Sequence, residues 1–239
     1  MIFVYFSCKK DAEILQLSVA SLRAAALQAG APRPEIWVAN DAADLIPGEQ
    51  LPAGVQELRT NYERGGTGKG LDAVRGELAV FRIIFDATGA DYLVKVDSDI
   101  FVQGWWQGIE PAHRAGAQVP ADFLAFEGAR ALLPMGGVYR LSRWAAKWLA
   151  EYFDRRQRWQ PGVYAEALTM WHALALSRMC LQLVPAEAGV LGGFSLAATC
   201  AEPFLHCGEP HAEGETIVRA SRELTRTRML LLRQILSKN

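Results

Sequence analysis

Long apolar runs are missing from this chain: no stretch of its 239 residues approaches the length a helix needs to cross a bilayer. Net charge is nearly missing too. At −1, it gives no general electrostatic reason to bind nucleic acid or another polyanion. Cysteine is sparse, and the four residues, Cys8, Cys180, Cys200 and Cys207, are scattered without a C-x-x-C pair. Reduced thiols are therefore the expected state. A zinc set can be drawn from Cys200, His206, Cys207 and His211, but its spacing matches no common zinc pattern. The opening run Ile2-Phe-Val-Tyr-Phe6 lacks a basic leader and a small-residue cleavage site. It reads as a strand, and the expected setting is the cytoplasm. Internal repeats and low-complexity linkers are also absent.

What is present is an ordinary globular composition, 51% apolar and 21% charged, with chain enough for one large domain. Ile2–Ser7 predicts a buried strand. Asp11 offers an N-cap to a helix marked by Leu15, Val19, Leu22 and Ala26, which Gly30-Ala-Pro should stop. Glu35–Ala39 predicts a second strand ending at Asn40-Asp41, and Val55–Arg59 a short third. A helix from about Asp72 to Ala87 leads into a strand over Asp91–Val96. Alternating strands and helices favour a mostly parallel sheet covered on both faces, an α/β class fold. Ligands of such sheets collect at the carboxyl ends of the strands. Cys8, Asn40-Asp41 and Asp97–Asp99 all fall there.

The second half is less regular. Strands are expected at Asp122–Phe126, Leu132–Leu141, Leu181–Val184 and Pro203–His206. One helix is marked by Leu141, Trp144, Ala145, Trp148, Leu149 and Tyr152, with Trp144 and Trp148 expected to pack. A second helix is expected over Tyr164–Met179. From about Glu215 the tail is helical in pattern. Between Ile217 and Asn239 it is basic, with Arg219, Arg222, Arg226, Arg228, Arg233 and Lys238 against Glu223. Such a tail either lies on an anionic membrane or docks on the domain or on a second subunit.

Two carboxylates at i and i+2, Asp97 and Asp99 of Val96-Asp-Ser-Asp-Ile100, stand where a strand gives way to a turn. Both can reach one cation or a ligand hydroxyl, and hard oxygen donors suit Mg²⁺ or Mn²⁺ bridging to a diphosphate. The bland alternatives are a solvated strand end or another metal enzyme. Phosphatases of the haloacid type carry their Asp-x-Asp in the first strand, whereas this motif closes a later one. Upstream, Arg64-Gly-Gly-Thr-Gly-Lys-Gly70 is neither a Walker loop nor a dinucleotide fingerprint. Glu63 stands where the Walker loop needs its first glycine, Gly70 where it needs Ser or Thr, and Leu71 where the fingerprint needs its third glycine. A basic glycine loop entering a helix N-terminus suits an anion, or is simply a surface loop.

Together the opening strand, Asn40-Asp41, Gly68-Lys69-Gly70 and Val96-Asp97-Ser98-Asp99 resemble the GT-A class of nucleotide-sugar-dependent glycosyltransferases, most clearly over roughly the first hundred residues. The resemblance implies a GT-A-like sheet flanked by helices with a mixed C-terminal half. It divides the chain into a single catalytic domain over 1–210 (nucleotide half 1–102, acceptor half 103–210) and a basic helical tail over 211–239. It implies a nucleotide-diphosphate sugar donor and Mn²⁺ or Mg²⁺, with Asp99 as main metal ligand and Asp97 beside it and near the ribose or sugar. Ser7, Cys8 and Asp41 would face the base and ribose. Lys69 and Arg75 or Arg82 would approach the phosphates or donor sugar, with Ser98 in the motif itself. Gly136-Gly137 would let the acceptor approach the donor, unless the pair marks only a bulge. Glu166 would be a catalytic base, although its flanks, Ala165 and Ala167, lack the paired acid often seen there. His206 would complete the metal shell, or be a core or surface histidine. Trp105 or Trp106 could stack on a sugar or base, with packing as the plainer role. The acceptor would be a glycan, a lipid-linked sugar or a small molecule. A peripheral contact at the inner membrane face, or self-association, would run through the tail. Two rivals remain: a non-catalytic nucleotide- or glycan-binding relative, and a sugar-phosphate nucleotidyltransferase. The latter should carry glycines directly after strand one, where this chain has Ser7-Cys-Lys-Lys-Asp11.

Overall fold

The computed structural model describes residues 1–61, 70–105, 121–128, 131–155, 166–177, 179–184, 204–207 and 215–236. In chain order the first half holds β1 (Ile2–Ser7), α1 (Ala12–Gln28), β2 (Glu35–Asp41), β3 (Gln56–Thr60), α2 (Gly70–Thr88), β4 (Tyr92–Asp97) and β5 (Ile100–Val102). The second half holds β6 (Phe123–Gly128), β7 (Ala131–Ser142), α3 (Arg143–Asp154), α4 (Glu166–Ala175), β8 (Leu181–Val184), β9 (Phe204–His206) and α5 (Glu215–Leu236). Among the described residues, seven strands form one sheet in the order β3-β2-β1-β4-β7-β6-β8, and β5 pairs with β9 in a second, two-stranded sheet. Strands β3, β2, β1 and β4 are parallel, β7 runs antiparallel between β4 and β6, and β8 is parallel to β6. The expected α/β class and mostly parallel sheet with a mixed second half are what the chain forms.

Strand β1 explains the layering. All six of its residues are buried, as a strand covered on both faces requires. Side chains alternate across a strand, so Ile2, Val4 and Phe6 enter the core built with α2, α3 and α4. Phe3 and Tyr5 enter the opposite core, built with α1. Helix α1 ends at Gly30 and α2 at Gly89, both with positive φ, where a glycine avoids the steric cost of the left-handed region.

Two local expectations need correction. Asp11 stands at the N-cap of α1 but makes no side-chain capping bond there. Its carboxylate instead receives Arg222 Nε from α5 at 2.8 Å. Trp144 is 64% exposed, whereas Ala145, Ala146, Leu149 and Phe153 are buried. The rest of the expected face holds, with Ala145 and Leu149 buried and Trp148 and Tyr152 packed against the core, so Trp144 alone of the expected positions turns out. Ser142 caps α3 by accepting from Ala145 N at 3.0 Å, and that start turns Trp144 outward.

The C-terminal helix is docked. Helix α5 lies along α1 through the Arg222–Asp11 pair and an Arg226–Glu13 pair at 2.7 Å. Met229 and Leu232 bury themselves with Ile14, Phe101 and Cys207. No helix among the described residues is long and apolar enough to cross a membrane.

Candidate active site

The carboxyl ends of β2, β1 and β4 lie side by side. Phe6 pairs with Asp97 and Ser7 with Asn40, so Ser7, Asn40-Asp41 and Asp97 stand on three successive strands, each about 4.8 Å from the next. Antiparallel β7 adds a fourth edge. Its Val138 pairs with Val96, which sets Gly137, the residue before it, level with Asp97. Helix α4 descends along β7 towards the amino end of β8, so its first residue, Glu166, belongs to the same carboxyl end of the sheet as Asp97. Sequence-distant candidates thus converge on one end of the molecule.

The Asp97-Ser98-Asp99 turn is held from both sides. Beyond it, β5 is tied to α1: Ser18 Oγ donates to the Ile100 carbonyl, and Val102 N donates to Ser21 Oγ at 2.9 Å. Strand β9 pairs with the other edge of β5, placing His206 opposite Ile100. Cys207 N then donates to the Asp99 carbonyl at 2.9 Å. The backbone of His206 is therefore one ladder position from Asp99, although His206 and Ile100 lie 106 positions apart in sequence. Arg228 Nη1 of α5 donates to the Cys207 carbonyl at 3.0 Å and fixes the end of this strand. Burial and the neighbouring Asp99 carboxylate push the Cys207 thiol up to about 12. At neutral pH it is a protonated core side chain rather than a nucleophile.

Around the carboxyl ends of β1 and β2 the polar groups are partly committed. Asn40 holds the loop after β2 by donating to the Ile46 carbonyl at 3.0 Å and accepting from Ile46 N at 2.9 Å. Asp41 accepts from Ala43 N at 2.9 Å, a local turn that leaves the residue half-exposed. Cys8 Sγ lies 3.6 Å from Asp11 Oδ2. Ser7 Oγ is buried with no hydrogen-bond partner among the described residues, which is costly unless a ligand or water supplies one. Arg75 donates to the Phe153 carbonyl at 2.9 Å and so ties α2 to α3. Arg82 is exposed twelve residues beyond Gly70 on α2, about 18 Å down the helix from the strand ends. Trp105 packs on Phe3 with ring centres 5.8 Å apart, the plainer of its two expected roles. The glycine loop with Lys69, and also Trp106, Cys200 and His211, lie outside the described residues.

A divalent cation suits this donor set. Two carboxylates spaced i, i+2 on a pinned turn offer hard oxygens, and Asp99 Oδ1 is shut away from bulk solvent. Among the described residues no cluster of three or more His, Cys, Asp or Glu forms a ready-made cage.

One group escaped the sequence reading. Lys95, two residues before Asp97, is buried on β4 and pairs with Asp97 Oδ1 at 2.6 Å. Its signal was legible, a lone charge inside Tyr92-Leu-Val-Lys-Val96 and on the same strand face as Asp97.

No protein-family model matches the sequence, and no curated protein sequence matches it either. Solved structures do. A glycosyltransferase involved in the glycosylation of the major capsid of PBCV-1 aligns with a TM-score of 0.56 at 10% identity, over 96% of this chain and 98% of its own. The galactosyltransferase LgtC, in complex with donor and acceptor sugar analogs, aligns with a TM-score of 0.53 at 10% identity, over 97% of this chain and 96% of its own. The glycosyltransferase GlyE of Streptococcus pneumoniae TIGR4 gives 0.52 at 13% identity, over 99% of this chain and 63% of its own. The likeness is one of backbone architecture and extends through the irregular second half, well past the motifs that suggested it. The chain has the GT-A fold of glycosyltransferases.

Proposed function

We propose that this protein transfers a sugar from a nucleoside-diphosphate donor to an acceptor hydroxyl, with Mn²⁺ or Mg²⁺ at Asp97 and Asp99. The observation that carries the reading is the pinned Asp97-Ser98-Asp99 turn at the carboxyl end of β4, beside the carboxyl ends of the parallel strands β1 and β2, in a glycosyltransferase fold. Asp99 would be the main cation ligand, and His206, one ladder step away, would complete the shell. When bound, the cation supplies positive charge to the leaving diphosphate.

The chain's own residues divide the remaining work. Ser7, Cys8 and Asp41 receive the base and ribose, and the orphaned Ser7 hydroxyl is the most direct candidate for a ligand hydrogen bond. Lys69 and Ser98 would bind the diphosphate. Arg75, near the start of α2 and already fixed to α3, can reach towards it, whereas Arg82 lies farther down that helix. Gly136-Gly137, beside Asp97 on β7, leave room for the acceptor against the donor sugar. Glu166, at the N-terminal end of α4, takes the acceptor proton as the new bond forms, or orients the acceptor hydroxyl.

The test is thermal unfolding with a panel of nucleotide sugars, with and without Mn²⁺. A ligand at one hundred times its Kd stabilises by about 2.7 kcal/mol. The reading expects at least one diphosphate sugar to stabilise the protein only when Mn²⁺ is present, and it fails if none does.

A further inference from the structure

Lysine is rare inside a sheet, because a buried ammonium must be paired to repay its lost hydration. Lys95 is nevertheless only 4% exposed in the body of β4. Its Nζ lies 2.6 Å from Asp97 Oδ1 and 5.6 Å from the centre of the Tyr139 ring, on the neighbouring strand. The Tyr139 hydroxyl donates to Glu77 Oε2 of α2 at 2.7 Å, and Glu77 is itself buried. A line of polar groups therefore runs Glu77, Tyr139, Lys95, Asp97, from the core to the strand end where the candidate cation site begins.

Packing does not call for this line. Well-packed apolar residues in place of a buried ionic set are often neutral or stabilising. Asp97 itself is 37% exposed, so it does not need a buried partner for its own solvation. The arrangement does fix one carboxylate oxygen in place, and it sets a unit positive charge behind the metal motif.

We propose that Lys95 is the positioning residue of the donor site. By holding Oδ1 of Asp97, it fixes the orientation of that carboxylate towards a hydroxyl of the donor and leaves the cation chiefly to Asp99. Its charge also opposes a lone divalent cation and favours one that arrives with a diphosphate. The two aspartates thereby acquire different tasks although they are chemically identical. This inference rests on the nucleotide-sugar reading of the site.

The experiment measures two affinities on Lys95→Met: that for Mn²⁺ alone, from the electron paramagnetic resonance signal of the free ion, and that for the diphosphate sugar bound by wild type, by calorimetry at saturating Mn²⁺. Loss of a charge this close should tighten Mn²⁺ alone by about tenfold or more and weaken the diphosphate sugar by a similar factor. Lys95→Arg, which keeps the charge, should return both values towards wild type. If Lys95→Met does not fold, Lys95→Met with Glu77→Gln removes both buried charges and should show the same opposed pair of shifts. A purely structural lysine would weaken both affinities together or change neither, and either result overturns the proposal. A wild type that binds Mn²⁺ and the diphosphate sugar alongside unchanged variants defeats Lys95 alone. A wild type that binds neither defeats the reading of the site, and the role of Lys95 with it.

Discussion

Met229→Ala is the perturbation that best separates an integral C-terminal helix from an appended tail. Met229 is fully buried between α5 and α1, against Ile14, Phe101, Cys207 and Leu232. Alanine would leave a cavity that the neighbouring strand and helix cannot easily close, and large-to-small changes of this kind cost about 2–5 kcal/mol. For a chain of this size, 1 kcal/mol moves Tm by about 2–4 °C, so the drop should be about 4–20 °C. Leu231, two residues on and turned to the outer face, is 38% exposed, and Leu231→Ala should stay within about 0.5 kcal/mol. The same cluster holds Cys207, whose amide bonds to the Asp99 carbonyl, so Met229→Ala should also loosen Mn²⁺ binding while Leu231→Ala does not. Thermal unfolding by circular dichroism, followed by Mn²⁺ titration of each variant, reads both effects. Equal Tm values for the two alanine variants would refute the argument and return α5 to the status of a peripheral tail.

Three further outcomes are expected. Cys207 titrates normally near 9.0 and is raised to about 12 in the fold, so the unfolded chain loses this proton first. Stability from Cys207 is therefore complete below pH 9.0 and falls by up to about 1.4 kcal/mol per unit as pH climbs towards 12. Chemical denaturation of wild type and Cys207→Ala should diverge in slope over that window, and parallel curves would deny the burial of the thiol beside Asp99. His206→Ala should weaken Mn²⁺ affinity by about tenfold or more, with activity partly recovered at saturating Mn²⁺. A structure with a diphosphate bound and the imidazole far from the cation would remove that ligand. Glu166→Gln should lower turnover by about 10²–10⁴-fold with donor affinity nearly unchanged. Near-normal turnover, or retained configuration at the anomeric carbon, would leave Glu166 only an orienting role.

The elements bounded by their own local signals were legible in the sequence. Strand β1 and strand β8 appear at the expected bounds, because each is a short apolar run closed by turn residues. Strand β2 runs two residues further than expected, to Asp41, where Asn40 is held by the loop that follows it. Strand β5 went unread as a separate strand. Three residues carry no periodic signal, and this strand exists because Ser18 and Ser21 of α1 and the distant β9 satisfy its backbone. Asp11 failed as a cap for the same reason, since its partner, Arg222, lies 211 residues away in sequence. At the site, Asp97 and Asp99 were visible because a strand-end carboxylate pair is a local pattern. The approach of His206 to Asp99 depends on a ladder between distant segments, and no spacing in the sequence encodes it.

The most direct test of the central claim is release of nucleoside diphosphate from the nucleotide sugar that stabilises the wild type, measured with and without Mn²⁺, for wild type and Asp99→Asn. Asp99 lies on a half-buried turn outside the apolar cores, so the variant should fold with nearly the wild-type Tm. Release that requires Mn²⁺ and falls by about a hundredfold or more in Asp99→Asn is the expected result. Release that is indifferent to Mn²⁺, or equal in the two proteins, would contradict a cation-assisted sugar transfer at this turn.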